Sequence, residues 1–363
     1  MKKYFYISFL LFLFSMGCSA NSITESASSD VINRPVEFVD ASGTTVQLEA
    51  FPQRIVIEGR LTQMIVDFYY LFRGQDKKIV GIENRLQTVE GFINIVDPHY
   101  QNKLVIEQDA TAEQVAGLNP DLVIMKSALK NKIGSTFTAI EIPVVYMDFE
   151  NPSQINREIT NLGWILNQPT RAREINELFA IWEESVTDVT NTLRIDQKPT
   201  ILLLQITKLG DEMAFDVPPA DWLQTSLVEL AGGIPVWKES IVSGSWMKVG
   251  FEQIAAWNPD FIFIINYFGN SAESVNTIKA NPTWQGLTSV KTDRLFGFAG
   301  DFLSWDQPDP RWVLGLKWLG NKIHPEIIQF DFQRDIPKFF KEFYGISYEE
   351  YSSQIKPVLK GNF

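Results

Sequence analysis

Large aromatic and basic side chains gather in this sequence just downstream of short β-rich runs. The runs are Arg54 to Ile57, Lys78 to Ile82, Leu122 to Met125 and Pro143 to Met147, then Thr200 to Ile206, Asp260 to Ile265 and Arg294 to Phe298. Arg60, Arg85 and Lys126 follow runs of the first half, and Tyr267, Phe302 and Trp305 follow runs of the second. Trp222, Trp246 and Lys248 sit in further loops of the second half. Aromatic rings offer flat faces for stacking, while guanidinium and ammonium groups form charge-assisted bonds to anionic oxygens. The combination suits a large, flat or anionic ligand such as a metal chelate. Trp164, Trp182, Trp257, Trp312 and Trp318 lie inside helical patterns instead and read as packing residues.

For those loops to meet, the strands must share a sheet edge, and the order of elements supplies one. Strands alternating with helical stretches predict parallel sheets covered on both faces, with a crevice outside the carboxyl ends of the strands. A hairpin opens the folded part, with Val36 and Phe38 against Thr44, Val46 and Leu48 around Asp40 to Gly43. Between the two sets of runs, Ile175, Leu178, Phe179, Trp182, Val186, Val189 and Leu193 fall at helical spacing with no Gly or Pro before Pro199. Thr170 to Ile195 therefore reads as one helix of about 39 Å. An internal repeat supports two lobes. Residues 113 to 124 and 252 to 263 agree at six of twelve positions, each copy running from a Glu-Gln helix through Asn-Pro-Asp into an apolar strand. The expected fold is α/β, with two Rossmann-like lobes of mainly parallel sheets, residues 36–168 and 198–363, joined by a single long helix within residues 169–197.

Composition removes several function classes. Hydrophobic residues make up 45% of the 363, so the chain folds, and a net charge of −12 without a long basic run argues against nucleic acid as a partner. One Cys and two distant His, His99 and His324, leave no zinc-ligand spacing, so no resident metal or cofactor is expected. No G-x-G-x-x-G, P-loop, G-x-S-x-G or H-E-x-x-H pattern is present, which favours a binding module over a secreted α/β enzyme. At the start, Lys2 and Lys3 precede an apolar run from Tyr4 to Met16, too short to span a bilayer, and then Gly17, Cys18 and Ser19. This resembles a bacterial lipoprotein signal: residues 1–17 removed, Cys18 acylated, and residues 18–35 a flexible tether. A second reading is cleavage after Ala20 by ordinary signal peptidase.

With these features in order, the chain resembles the substrate-binding lipoproteins of type II ABC importers for iron-siderophores, haem, cobalamin and molybdate. The resemblance rests on the Asp40-x-x-Gly43-x-x-Val46 hairpin followed by Pro52-x-Arg54-Ile55-Val56, the paired Asn-Pro-Asp units, and Gly232-Gly233 after a helix. It rests also on Trp284-x-x-Leu287-x-x-Val290-Lys291-x-x-Arg294-Leu295-Phe296, on Leu316-x-Trp318-Leu319 leading to His324-Pro325-Glu326, and on Trp305-x-x-Pro308-x-Pro310. It implies a ligand cleft between the lobes holding a metal chelate, foremost a ferric siderophore, with corrinoid, haem, molybdate or tungstate as alternatives. Candidate ligand contacts are Arg60, Arg85, Lys126, Trp222, Trp246, Lys248, Tyr267, Phe302 and Trp305. The implied partners are a permease dimer with its ATPase subunits, and the implied place is outside the cytoplasmic membrane, on a lipid anchor. Glu113 and Glu252, equivalent in the repeat, match the acidic positions that the family is thought to use for docking to the permease.

Overall fold

The computed structural model describes residues 35–59, 62–83, 91–108, 110–209, 212–241 and 244–363. Cys18, Arg60, Arg85, the signal segment and nearly all of the tether lie outside the described residues.

Strands β1 (Val36–Val39) and β2 (Thr45–Leu48) form the antiparallel hairpin, with Gly43 at φ 76° in the turn. The positive φ explains glycine there. The first lobe is then built on β3 (Ile55–Ile57), β4 (Ile79–Glu83), β5 (Leu104–Ile106), β6 (Leu122–Met125) and β7 (Val144–Tyr146). Their order is β5-β4-β3-β6-β7, and every pairing is parallel. Central strands β3 and β6 are buried at each position, as continuous apolar runs must be when helices cover both faces.

The second sheet contains β8 (Thr200–Leu209), β9 (Glu212–Val217), β10 (Ile234–Pro235), β11 (Met247–Val249), β12 (Phe261–Ile265) and β13 (Leu295–Gly297). Its order is β11-β9-β8-β12-β13, with β10 beside the start of β8. Strands β10, β12 and β13 run parallel to their neighbours, but β9 and β11 are antiparallel. That hairpin departs from the expected strand-helix alternation. Strand β8 outlasts the run legible in its apolar residues, and the chain turns straight back on itself, which brings Phe215 into a strand.

The linker helix spans Pro169–Thr190, 22 residues or about 33 Å. It is one turn or more shorter than its periodicity suggests, because Thr190 turns its hydroxyl to the Leu230 carbonyl at 2.7 Å and the chain leaves the axis at Asn191 toward β8. Its start is set locally. The preceding helix, Pro152–Ile165, ends where Asn167 adopts φ 58° and the Gln168 N–H returns to the Gly163 carbonyl, and Pro169 opens the next helix. Ile175, Phe179, Trp182 and Val186 form its buried face.

Contact between the lobes is extensive enough that the described chain belongs to one compact unit. The last long helix, Phe332–Tyr344, crosses back from the second lobe, and its Tyr344 hydroxyl donates to the Asp67 carbonyl of the first lobe at 3.1 Å. Phe92 of the first lobe lies 6.1 Å from Phe302 and 4.7 Å from Tyr344, centroid to centroid.

Candidate functional site

The two repeat copies set the strands that carry the site. Asn119 and Asn258 both take positive φ, 50° and 38°, so each helix stops in the left-handed region that Asn tolerates. The following Asp then anchors the neighbouring strand. Asp121 accepts the N–H groups of Gln53 at 2.7 Å and Arg54 at 2.9 Å before β3, and Asp260 accepts the N–H of Thr200 at 2.8 Å as β8 begins. Both lobes therefore present strand carboxyl ends in equivalent ways.

On the first lobe those ends carry charge. Glu58 follows β3, Glu83 ends β4, Lys126 and Ser127 follow β6, and Asp148 to Glu150 follow β7. Lys126 is 4% exposed, and its ammonium bonds the Asp148 carbonyl and, at 2.9 Å, the Glu150 carboxylate. Ser127 donates its N–H to Asp148 at 2.8 Å. The turn after β7 is strained, with Phe149 at φ 56°, and Glu158 holds it by accepting the N–H groups of Asp148 at 2.7 Å and Phe149 at 2.8 Å. Burial drives the Glu158 carboxyl up to about 7. Glu58 is pushed up to about 8 by burial and by the charge of Glu83, and its Oε2 has no partner among the described residues.

The second lobe gathers aromatic rings in its loops instead. Trp222 precedes the helix Leu223–Leu230, Trp246 precedes β11, and Tyr267 follows β12. Trp222 and Trp246 meet edge to face at 6.0 Å, and Trp246 meets Tyr267 the same way at 6.2 Å. All three are half-buried. The Tyr267 hydroxyl donates to Asp306 Oδ2 at 2.6 Å, with the Gln224 amide 3.4 Å from each. Burial and the neighbouring Asp306 hold the phenol well above its ordinary range, so it is a neutral donor. The charge of Glu150 in the first lobe adds to that upward shift.

The structure thus brings Trp222, Trp246 and Tyr267 together, while Lys126 of the first lobe is committed to its own neighbours. Phe302 is half-buried against Phe92, and Lys248 is exposed on an edge strand. Trp305 shows no exposed surface. It packs against Phe330 and Phe363 and turns its Nε1 to Asp301 at 3.3 Å, so here it supports the fold and offers no face to a ligand. Gln224 and Asp306, which hold the Tyr267 hydroxyl, carry no signal in type or spacing, since a buried acid two residues before Pro308 looks like any loop acid. Glu113 and Glu252 are exposed in the first turns of equivalent helices. Thr111 caps the first of these in a capping box, while Gly250 leaves the second without a side-chain cap. Two cavities of about 260 and 360 Å³ lie elsewhere, beside Tyr70 and Gly345 and between Trp164 and Asn176. Among the described residues no cluster of three or more His, Cys, Asp or Glu is arranged to hold a metal ion, and no helix is long and apolar enough to cross a membrane.

A family profile described as "Periplasmic binding protein" matches residues 70–300, well over half of the chain. The chain belongs to the periplasmic binding protein family. This is a family of extracytoplasmic solute binders of ABC transporters, not of catalysts. Among curated proteins, the "High-affinity heme uptake system protein IsdE" of Staphylococcus aureus is 23% identical over 195 residues, covering 52% of this chain and 63% of that protein. The match thus spans less than two thirds of the relative. Among solved structures, a periplasmic solute binding protein from Veillonella parvula has a TM-score of 0.69 at 24% identity, covering 89% of this chain and 98% of the other. The molybdate periplasmic binding protein MolA of Haemophilus influenzae has a TM-score of 0.69 at 16% identity, covering 86% and 99%. A protein of an ABC-type Fe3+-hydroxamate transport system from Saccharomonospora viridis has 0.61 at 16%, covering 80% and 100%. These TM-scores establish a shared two-lobe fold.

Proposed function

We propose that this chain is the extracytoplasmic receptor of an ABC importer and carries a metal chelate, foremost a ferric siderophore, in the cleft between its lobes. The observation that carries this reading is the trio Trp222, Trp246 and Tyr267, whose half-exposed rings meet in loops of the second lobe. Half-exposed rings held edge to face present apolar surface without spending a polar group, and the Tyr267 hydroxyl adds an oriented contact. Printed names of relatives mention haem, Fe3+-hydroxamate and molybdate, which supports a chelate or oxyanion as the ligand class. Iron would arrive wrapped by its chelator, with no thiolate or paired imidazole from the protein.

The test is a thermal-shift panel of ferric chelates, haemin, cobalamin, molybdate and tungstate, since a ligand that binds only the folded state raises the melting temperature. A ferric chelate is expected to give the largest shift. Preference for a corrinoid, haemin or an oxyanion would keep the receptor and change its cargo. Absence of any specific binder, or turnover of a small substrate, would overturn the receptor reading.

Docking belongs to the same proposal. Glu113 and Glu252 lie 139 positions apart on equivalent helices, as two contacts to a symmetric permease dimer should. Hydrogen bonds from its own N–H and from Thr111 hold the Glu113 carboxyl below its usual range, which keeps it charged. Reversing both charges, Glu113→Lys with Glu252→Lys, should leave ligand affinity intact and abolish uptake in reconstituted transporter; unchanged uptake would remove the docking role. For the anchor, mass spectrometry of the exported protein should find a lipid-modified Cys18 at its start, whereas a first residue of Asn21 would mean ordinary cleavage.

A further inference from the structure

Three carboxylates and one guanidinium are sealed together where the two lobes meet. Asp67 stands on the first-lobe helix Thr62–Tyr69, and Asp301, Asp309 and Arg311 come from the segment after β13. None is more than 2% exposed. Arg311 Nε bonds Asp301 at 2.8 Å, while Nη1 alone reaches both Asp67 Oδ2 at 2.7 Å and Asp309 Oδ1 at 2.8 Å. The Phe92 and Phe340 rings lie 4.1 and 5.7 Å from the guanidinium, so aromatic faces rather than water close the cluster.

The groups around the three acids are unequally shared. Asp301 has one edge of the guanidinium, the Trp305 indole and the Leu303 N–H, and the half-buried Lys360 and the Tyr351 phenol act on it from the chain end. Asp67 has the Gln63 amide, at 2.5 Å on Oδ1, and the Tyr344 phenol donates only to its backbone carbonyl. Asp309 Oδ1 also accepts the Arg311 backbone N–H at 3.0 Å, and the one side-chain donor that Asp67 and Asp309 share is Arg311 Nη1. Two carboxylates drawn together in a dry site cannot both stay ionised. Their nearer oxygens share Arg311 Nη1, at 2.7 and 2.8 Å, so one guanidinium faces three buried carboxylates and a proton on either of these two removes the excess charge. Asp309 Oδ2 is buried with no partner among the described residues, which is where such a proton has room.

We propose that Asp67 and Asp309 form a proton-binding site across the seam between the lobes, occupied at neutral pH, whose proton must leave when the seam opens. Burial and the charge of Asp309 raise the Asp67 carboxyl well above its ordinary range, in keeping with that geometry. Parting the lobes would take Asp67 into water, where it ionises, and leave Arg311 to Asp301 and Asp309. Acid therefore tightens the seam and alkali loosens it, whatever ligand the cleft holds.

The test uses the ligand-free mature chain. Infrared spectra at neutral pH should contain a protonated-carboxyl band that moves when aspartate, but not glutamate, carries carbon-13. That band should vanish in Asp67→Asn and in Asp309→Asn, whose amides donate the hydrogen bond without a titrating proton. Urea unfolding between about pH 5 and 8 should show about one fewer proton taken up on folding by Asp67→Asn than by the wild type. Glu58 and Glu158 titrate alike in both proteins, so the difference isolates the pair. If Asp67→Asn does not fold, Asp309→Asn supplies the same comparison. A wild-type spectrum without an aspartic acid band, or equal proton uptake in the variant and the wild type, would overturn the proposal.

Discussion

The candidate residues of the two lobes are chemically opposite, and the sheets beneath them differ, all parallel in the first lobe and mixed in the second. The first lobe lines its strand ends with Glu58, Glu83, Lys126, Asp148 and Glu150, and the second gathers Trp222, Trp246 and Tyr267 in its loops. The difference follows from what a buried wall tolerates. A charge held out of water must be neutralised from within, so Lys126 is already spent on Glu150 and Glu158 on two backbone N–H groups. A ring needs no partner, so the aromatic wall is free to meet a ligand. Charged residues at strand ends thus frame the first lobe, and the proposed ligand would take its contact area from the second.

The contrast breaks most readily at Lys126. Lys126→Met should leave Glu150 and the Asp148 carbonyl without their donor and cost about 2 kcal/mol in urea unfolding, with little change in ligand affinity. Unchanged stability with lost affinity would show the ammonium facing the ligand. Glu58 sharpens it through pH. Its folded carboxyl titrates near 8 and that of Glu158 near 7, both above the ordinary value, so their contribution is fully present below about pH 4.5 and is lost as pH rises through those values. Stability should fall toward pH 8 by at most about 1.4 kcal/mol per pH unit for each group, and Glu58→Gln should flatten that slope. The same slope in the variant would mean that Glu58 is ionised in the folded protein. Trp246→Ala probes the other wall. Being half-exposed, it should change stability less than Lys126→Met and weaken ligand binding about tenfold by calorimetry, about 1.4 kcal/mol. An equal loss of stability and an unaltered affinity would return Trp246 to a packing role.

The strand positions and the repeat were legible because their causes are local. Continuous apolar runs marked β6 and β12, Asn-Pro-Asp marked both helix stops, and the apolar stripe marked the linker helix. The hairpin β8–β9 was not legible, since a strand that continues through polar positions loses its apolar pattern. Gln224 and Asp306 were not legible either, because their importance lies in what they touch.

Sequence alone determined the α/β class, the two related halves and the linker, because helix stops, turns and apolar runs act over a few residues. It could not separate Trp305 from Trp246, two loop tryptophans with the same outward signs. Only the tertiary structure did so. The chain end returns to pair Lys360 with Gly300 and sets Phe363 against the Trp305 ring, while no described segment covers Trp246 in that way. The same holds for Asp67 and Arg311, 244 positions apart and bonded at 2.7 Å. Burial and charge pairing are properties of neighbours in space, and those neighbours exist only once both lobes have folded against the linker.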